Sequence, residues 1–98
     1  MTDILEKKIV MPAINWNGTD GNDLINQYRT TYEAFQPLLD AMAKATPHGR
    51  DYQTLPAGTF EKAQKQHTDM ILKLVDIQDT ITAIALDLIR QQDERGGK

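Results

Sequence analysis

Between Ala57 and Glu94 the apolar residues recur in two interleaved seven-residue series, and that repetition restricts the stretch to one kind of structure. The first series is Phe60, His67, Leu74, Ile81 and Leu88; the second is Ala63, Met70, Ile77 and Ile84. Steps of three and four place both on one side of a helix. A seven-residue period sustained this long is the a/d seam of a coiled-coil-like packing. Ile71, Val75, Ala85 and Ile89 widen the stripe, as in a helix that packs on more than one neighbour. Glu61 precedes Lys65, and Asp69 precedes Lys73, by four residues. That is the favourable order for charge pairs along a helix, each contributing about 0.2–0.5 kcal/mol. Gly96-Gly97 ends the pattern, and the spacing predicts a helix over 57–94.

A striped helix needs a cover, and a second periodic segment supplies one over 20–45. Its apolar positions are Leu24, Tyr28, Thr31/Tyr32, Phe35, Leu38/Leu39 and Met42. Thr19 or Asp20 is placed to cap it, since either side-chain oxygen can accept a free backbone N–H. Pro37 interrupts the pattern. It removes the hydrogen bond to the carbonyl of Glu33 and crowds that turn, so a kink, or a division into two helices, is expected there. Residues 46–56 form the connection, in which Pro47, Gly49 and Pro56 argue against regular structure. Eleven residues is long for a link between helices, which usually takes two to eight, and the excess suggests a task.

Residues 1–18 read as an arm. Asp3 to Ile9 can form one or two helical turns, Pro12 ends them and pushes Met11 towards extended geometry, and Val10 to Trp16 reads as an apolar extended stretch. Asn17-Gly18 is a turn signal. The expected fold is all-α: one domain over 1–98, an antiparallel helical hairpin with a long C-terminal helix and a short N-terminal arm.

The helices differ in length. About 25 residues make 39 Å and about 38 make 57 Å, at roughly 1.5 Å per residue. Pairing Ala45 with Ala57 would bring Thr19 level with residues 82–83 and leave the last dozen residues of the second helix without a partner. Ile84, Leu88 and Ile89 lie there. The arm, with Ile4, Leu5, Ile9, Ile14 and Trp16, is one available cover and a second subunit is the other. Burying Trp16, Ile84 and Leu88 is worth roughly 1.5–3 kcal/mol for each side chain, so all three are expected to be covered and a homo-oligomer is expected.

Composition narrows the function. Hydrophobic residues at 40% and charged residues at 26% describe a globular chain rather than a disordered one. A net charge of −3 lacks the Lys/Arg surplus with which proteins neutralise duplex phosphates. No apolar run reaches the 18 or so residues of a membrane span, and Met1 to Met11 has no secretory apolar core, so a cytoplasmic protein is expected. Serine and cysteine are both absent, which removes the two commonest nucleophiles. The two histidines form no metal-binding spacing, and no glycine-rich phosphate loop is present. The chain is expected to be no enzyme and to need no cofactor and no metal.

Three places carry polar groups of interest. His67 sits in the apolar seam, where a half-buried imidazole most simply bonds across the helix interface and otherwise touches a ligand. Asn15-Trp16-Asn17-Gly18-Thr19 precedes the first helix; a turn and a cap account for it, and Asn17 and Thr19 are the candidates for ligand contact. His48-Gly49-Arg50-Asp51-Tyr52 lies in the loop. There Arg50 and Asp51 can serve as backbone caps. Alternatively Arg50 offers a planar donor fork to phosphate or carboxylate, Tyr52 a stacking face and His48 a further donor. The following helix N-terminus favours anions.

The sequence Ile14-x-x-Asn17-Gly18-Thr19, then Pro47-x-Gly49-Arg50-Asp51-Tyr52, then Ala63 and His67, resembles a family of short accessory proteins of tailed bacteriophages and prophages. In that family an L-N-G-T turn opens the first helix, and a P-N-G-R-D-Y-Y loop opens a second helix bearing an A-x-x-x-H step. The resemblance runs from Ile14 onward. Gln53 departs from it where a second aromatic is usual, which weakens an aromatic clamp, and Trp16 departs where leucine is usual. What the resemblance implies is a setting in the cytoplasm of an infected bacterium rather than an activity. The expected function is a non-enzymatic binding protein that counters host defence or redirects host machinery. It would sequester a small anionic, nucleotide-like ligand or block a host protein. The alternative is a structural or adaptor protein that acts through helix-mediated oligomerisation.

Overall fold

Asp20 starts the first helix: its carboxylate accepts the Asn22 backbone N–H at 3.1 Å, and α1 runs from Gly21 to Lys44. Thr19, the other candidate cap, makes no such bond and is exposed. The computed structural model describes residues 8–96, which contain α1, a 3₁₀ turn at Gly49–Tyr52 and a second helix, α2, at Thr59–Gly96, with no strand among the described residues. The all-α hairpin with a long C-terminal helix is thus the fold. α1 continues through Pro37 as a single element, so the expected division there does not occur. Pro37 and Glu33 both face solvent, where water can satisfy the carbonyl that proline leaves without its donor.

The register of the hairpin differs from expectation by about one helical heptad and a half. Ile25 packs with Ile84 and Leu88, Asn22 accepts from Gln92 at 3.1 Å, and the Met42 carbonyl meets His67 at 2.7 Å. Asn22 is therefore level with residue 92, where the expected pairing of Ala45 with Ala57 put it level with about residue 80. The loop is the cause. It does not cap the ends of two flush helices but folds alongside the first turns of α2, with Tyr52 lying 5.9 Å from Phe60 in a tilted ring contact. Backbone bonds from Asp51 to His48 at 3.0 Å and from Leu55 to Tyr52 at 3.2 Å give it regular local structure, contrary to expectation. Gly58, at φ +90°, makes the turn into α2, a conformation in which glycine alone carries no penalty. The overhang of α2 is consequently at its N-terminal end, beside the loop.

At the other end the arm forms a third layer. Ile9 and Ile14, with Leu24 and Tyr28, surround the cluster of Ile25, Ile84 and Leu88, and Leu88 is wholly buried. The arm is held by polar bonds as well. Gln91 accepts the Ile14 N–H at 2.9 Å and donates to the Pro12 carbonyl at 2.9 Å, while Arg95 donates to the Ile14 carbonyl at 3.1 Å. Gly21 permits this close approach: a Cβ there would lie 2.5 Å from Gln92 Oε1 and 3.2 Å from Ile14. Ile84 and Leu88 are thus covered within one chain. Trp16 is not, being 94% exposed. It follows Ile14 by two residues and lies in the turn closed by Gly18 N–H to the Asn15 carbonyl at 3.2 Å, which carries it off the surface. Of the segment expected to form helical turns, only Lys8 and Ile9 are described, and neither is helical; Ile4 and Leu5 lie outside the described residues.

Only part of the expected seam is buried. Phe60, Leu74 and Ile81 are half-buried, and His67 and Leu88 are buried. Met70 and Ile77 are 42% and 50% exposed. Over its middle α2 has one neighbour, so the covered strip is narrow and follows His67, Ile71, Leu74, Gln78 and Ile81. Met70 and Ile77 lie on the flank that the arm reaches only further along, at Ile84. Lys65 pairs with Asp69 at 3.2 Å, and not with Glu61 as the charge order suggested.

Candidate functional site

The loop cluster is built around an aromatic anchor. Tyr52 is half-buried against Phe60, whereas His48, Gly49, Arg50 and Asp51 are exposed. The 3₁₀ turn is made by backbone groups, and the side chains of Arg50 and Asp51 cap nothing among the described residues. The structure therefore leaves the Arg50 guanidinium in solvent, one turn of chain away from its aromatic support.

The turn before α1 is organised by a residue outside the predicted set. Asn15 accepts the Asn17 backbone N–H at 2.9 Å through its side chain and donates to the Ala13 carbonyl at 3.0 Å. The side chains of Asn17 and Thr19 are exposed. Beside them is an open cleft of about 520 Å³ lined by Ile14, Asn15, Trp16, Asp20, Gln92 and Arg95, among others. Its polar groups are committed: Asp20 caps α1, Gln92 bonds Asn22 and Arg95 bonds the arm. Trp16 is the free large surface at its mouth. Gln92 and Arg95 could not be placed there by sequence spacing, because the hairpin register brings them.

His67 belongs to neither cluster. It is buried in the helix interface with its Nε2 on the Met42 carbonyl, the simpler of its two expected roles. The predicted residues thus fall in three separate places: His48, Arg50 and Tyr52 at the loop end, His67 inside, and Asn17 and Thr19 at the arm end. With 24 residues of α1 between them, the two ends lie about 36 Å apart, so one chain cannot bring Asn17 and Arg50 to one small ligand.

Charge is unevenly spread over α2. Lys62, Lys65 and Lys73 surround exposed Met70 in a shallow groove shared with Gln66 and Asp69. Further along, Arg90 bonds Asp87 at 2.8 Å and Glu94 at 2.9 Å. The hydrogen bond from Arg90, with a second from Gln91, holds the Asp87 carboxyl below its ordinary pKa, and the same carboxylates raise that of Arg90. Among the described residues no cluster of three or more His, Asp or Glu is arranged to hold a metal ion, and no helix is long and apolar enough to cross a membrane. The chain matches no protein-family model, no curated protein and no solved structure.

Proposed function

We propose that the chain is a non-enzymatic binding protein that acts by covering a surface of another protein with its helices. The observation that carries this reading is the apolar flank of Met70, Ile77 and Leu38, exposed at 42%, 50% and 44%. It lies in line with the groove that the arm fills further along. Lys62, Lys65 and Lys73 border it, so the fitting partner presents apolar side chains within an acidic rim. Apolar core and charged rim are the ordinary anatomy of a protein interface. In the phage setting that the sequence resemblance implies, the partner is a host protein of defence or of the machinery being redirected.

A second reading is favoured by one observation of its own. Arg50 makes no hydrogen bond or ion pair among the described residues, while the loop beneath it is ordered by Tyr52 on Phe60. A guanidinium held out in this way suits a small phosphate-bearing ligand, and the chain then acts by sequestration.

Mass measurement of the protein purified from bacterial cells, under native and denaturing conditions, separates the two. A bound polypeptide that is lost in Met70→Glu and Ile77→Glu supports the surface-covering reading. A bound nucleotide-sized anion that is lost in Arg50→Ala supports sequestration. A chain that carries neither, alone or with copies of itself, overturns both and leaves the structural role.

A further inference from the structure

A second stripe, apolar at Leu72, Val75, Leu86 and Ile89, runs along the opposite flank of α2; Val75 and Ile89 are two of the residues that widen the predicted seam. It consists of Thr68, Leu72, Val75, Asp79, Thr82, Leu86, Ile89 and Asp93, spaced by four and three in strict alternation. Leu72 and Leu86 are each 61% exposed, and Val75 and Ile89 exceed a third. The stripe is turned by about a quarter of the helix circumference from the face that packs on α1, as expected at 100° per residue. A helix in a four-helix bundle meets its two neighbours at such an angle. The adjoining face of α1 carries Ile25 and Arg29, which share a groove with Ile89 and Asp93, and, one turn on, half-exposed Tyr32.

The stripe reads the same in both directions. We infer that this flank binds a second copy of the chain, α2 against α2 antiparallel about a two-fold axis between Thr80 and Ile81. Leu72 then faces Ile89 of the partner subunit, Val75 faces Leu86 of the partner subunit, and Asp79 faces Thr82 of the partner subunit. Each of these layers occurs twice, as a two-fold interface requires. The bordering charges are complementary in the same arrangement. Asp69 falls within two residues of the level of Arg90 of the partner subunit, and Lys65 within two of Glu94 of the partner subunit, about 3 Å along the axis. The polar Asp79–Thr82 layers fix the register at some cost in stability, the usual effect of one polar seam position.

Neither the host-protein nor the anion reading uses the apolar positions of this stripe, although Lys65 and Asp69 border it and the Met70 groove alike.

The test uses the whole chain. Sedimentation at micromolar concentration is expected to give twice the 11.1 kDa chain mass, with Leu72→Glu and Leu86→Glu each weakening the dimer at least a hundredfold while helical circular dichroism is retained. Orientation is read from cysteines, which the chain lacks. Leu72→Cys with Ile89→Cys in one chain should yield a covalent dimer on oxidation. Either alone should not, because copies of one position lie about 26 Å apart along the axis. A monomer at all concentrations overturns the inference. So does a dimer broken by Ile77→Glu but not by Leu72→Glu, or ready disulfide formation by Leu72→Cys alone.

Discussion

His67 Nε2 stands 2.7 Å from the carbonyl oxygen of Met42, so a ring on α2 donates a hydrogen bond into the last turn of α1. The final carbonyls of a helix lack their usual donors within it, and His67 supplies one to Met42 from across the interface. The bond therefore pins the end of α1 to one level of α2 and helps to set the register of the hairpin. It also requires the proton on Nε2.

Replacing that ring tests the bond. The Met42 carbonyl also accepts the Ala45 N–H at 3.1 Å, so it is not orphaned when the imidazole goes. His67→Leu, which keeps apolar volume, should cost about 0.5–1.5 kcal/mol, the net value of one hydrogen bond. His67→Ala should cost more, because a cavity is added. Urea unfolding of both variants measures the difference; an unchanged midpoint in His67→Leu beside a loss in His67→Ala would show that packing alone matters.

The core should weaken along a gradient that the heptad pattern does not show. Leu88 is wholly buried, and Leu88→Ala should cost about 2–5 kcal/mol. Ile77→Ala and Met70→Ala, at half-exposed positions, should each cost less than half as much. Comparable losses at all three, by shifts in the urea midpoint, would mean that Ile77 and Met70 are as buried in solution as Leu88.

How far the sequence foretold this molecule depends on the range of the interaction. The helices were legible because local periodicity dictates them, and Asp20 was one of two caps that spacing allowed. The register was not, because it rests on Tyr52 meeting Phe60 and on the loop folding beside α2, a contact that no local pattern records. The exposure of Trp16 was missed for a related reason. Apolar character argued for burial, whereas the turn set by Asn15 decides where the indole goes. At the candidate sites, the freedom of Arg50 and the interior bond of His67 were among the alternatives that residue type permits. Gln91, Gln92 and Arg95 stand too far from the arm in sequence for spacing to connect them to it.

The arm latch should respond to acid. Asp87 accepts from Arg90 and from Gln91 Nε2, at 2.8 Å each, and Gln91 in turn holds Pro12 and Ile14. These bonds lower the Asp87 pKa, so they favour its charged form in the folded chain. The stabilisation is present above the ordinary carboxylate pKa of about 3.9 and is lost as pH falls through the lowered value. Stability of the parent chain should therefore decline more steeply below about pH 4 than that of Asp87→Asn. Identical profiles from urea midpoints between neutral pH and pH 3 would exclude the contribution.

Trp16 offers a direct test of the arm's geometry. It is the only tryptophan, it is 94% exposed, and the turn that carries it is closed by Asn15. An indole in water should emit at long wavelength in the native chain and change little on unfolding. Trp16→Ala should shift stability by no more than about 0.5 kcal/mol, as surface changes usually do. Asn15→Ala removes the side-chain acceptor of the Asn17 N–H and should loosen the turn, yet leave the emission where it was, since the indole is already wet. Native emission at short wavelength that moves on unfolding would place Trp16 in an apolar contact. Dilution then distinguishes its source. A contact with a second chain disappears as the dimer dissociates, whereas a contact within the chain persists at every concentration.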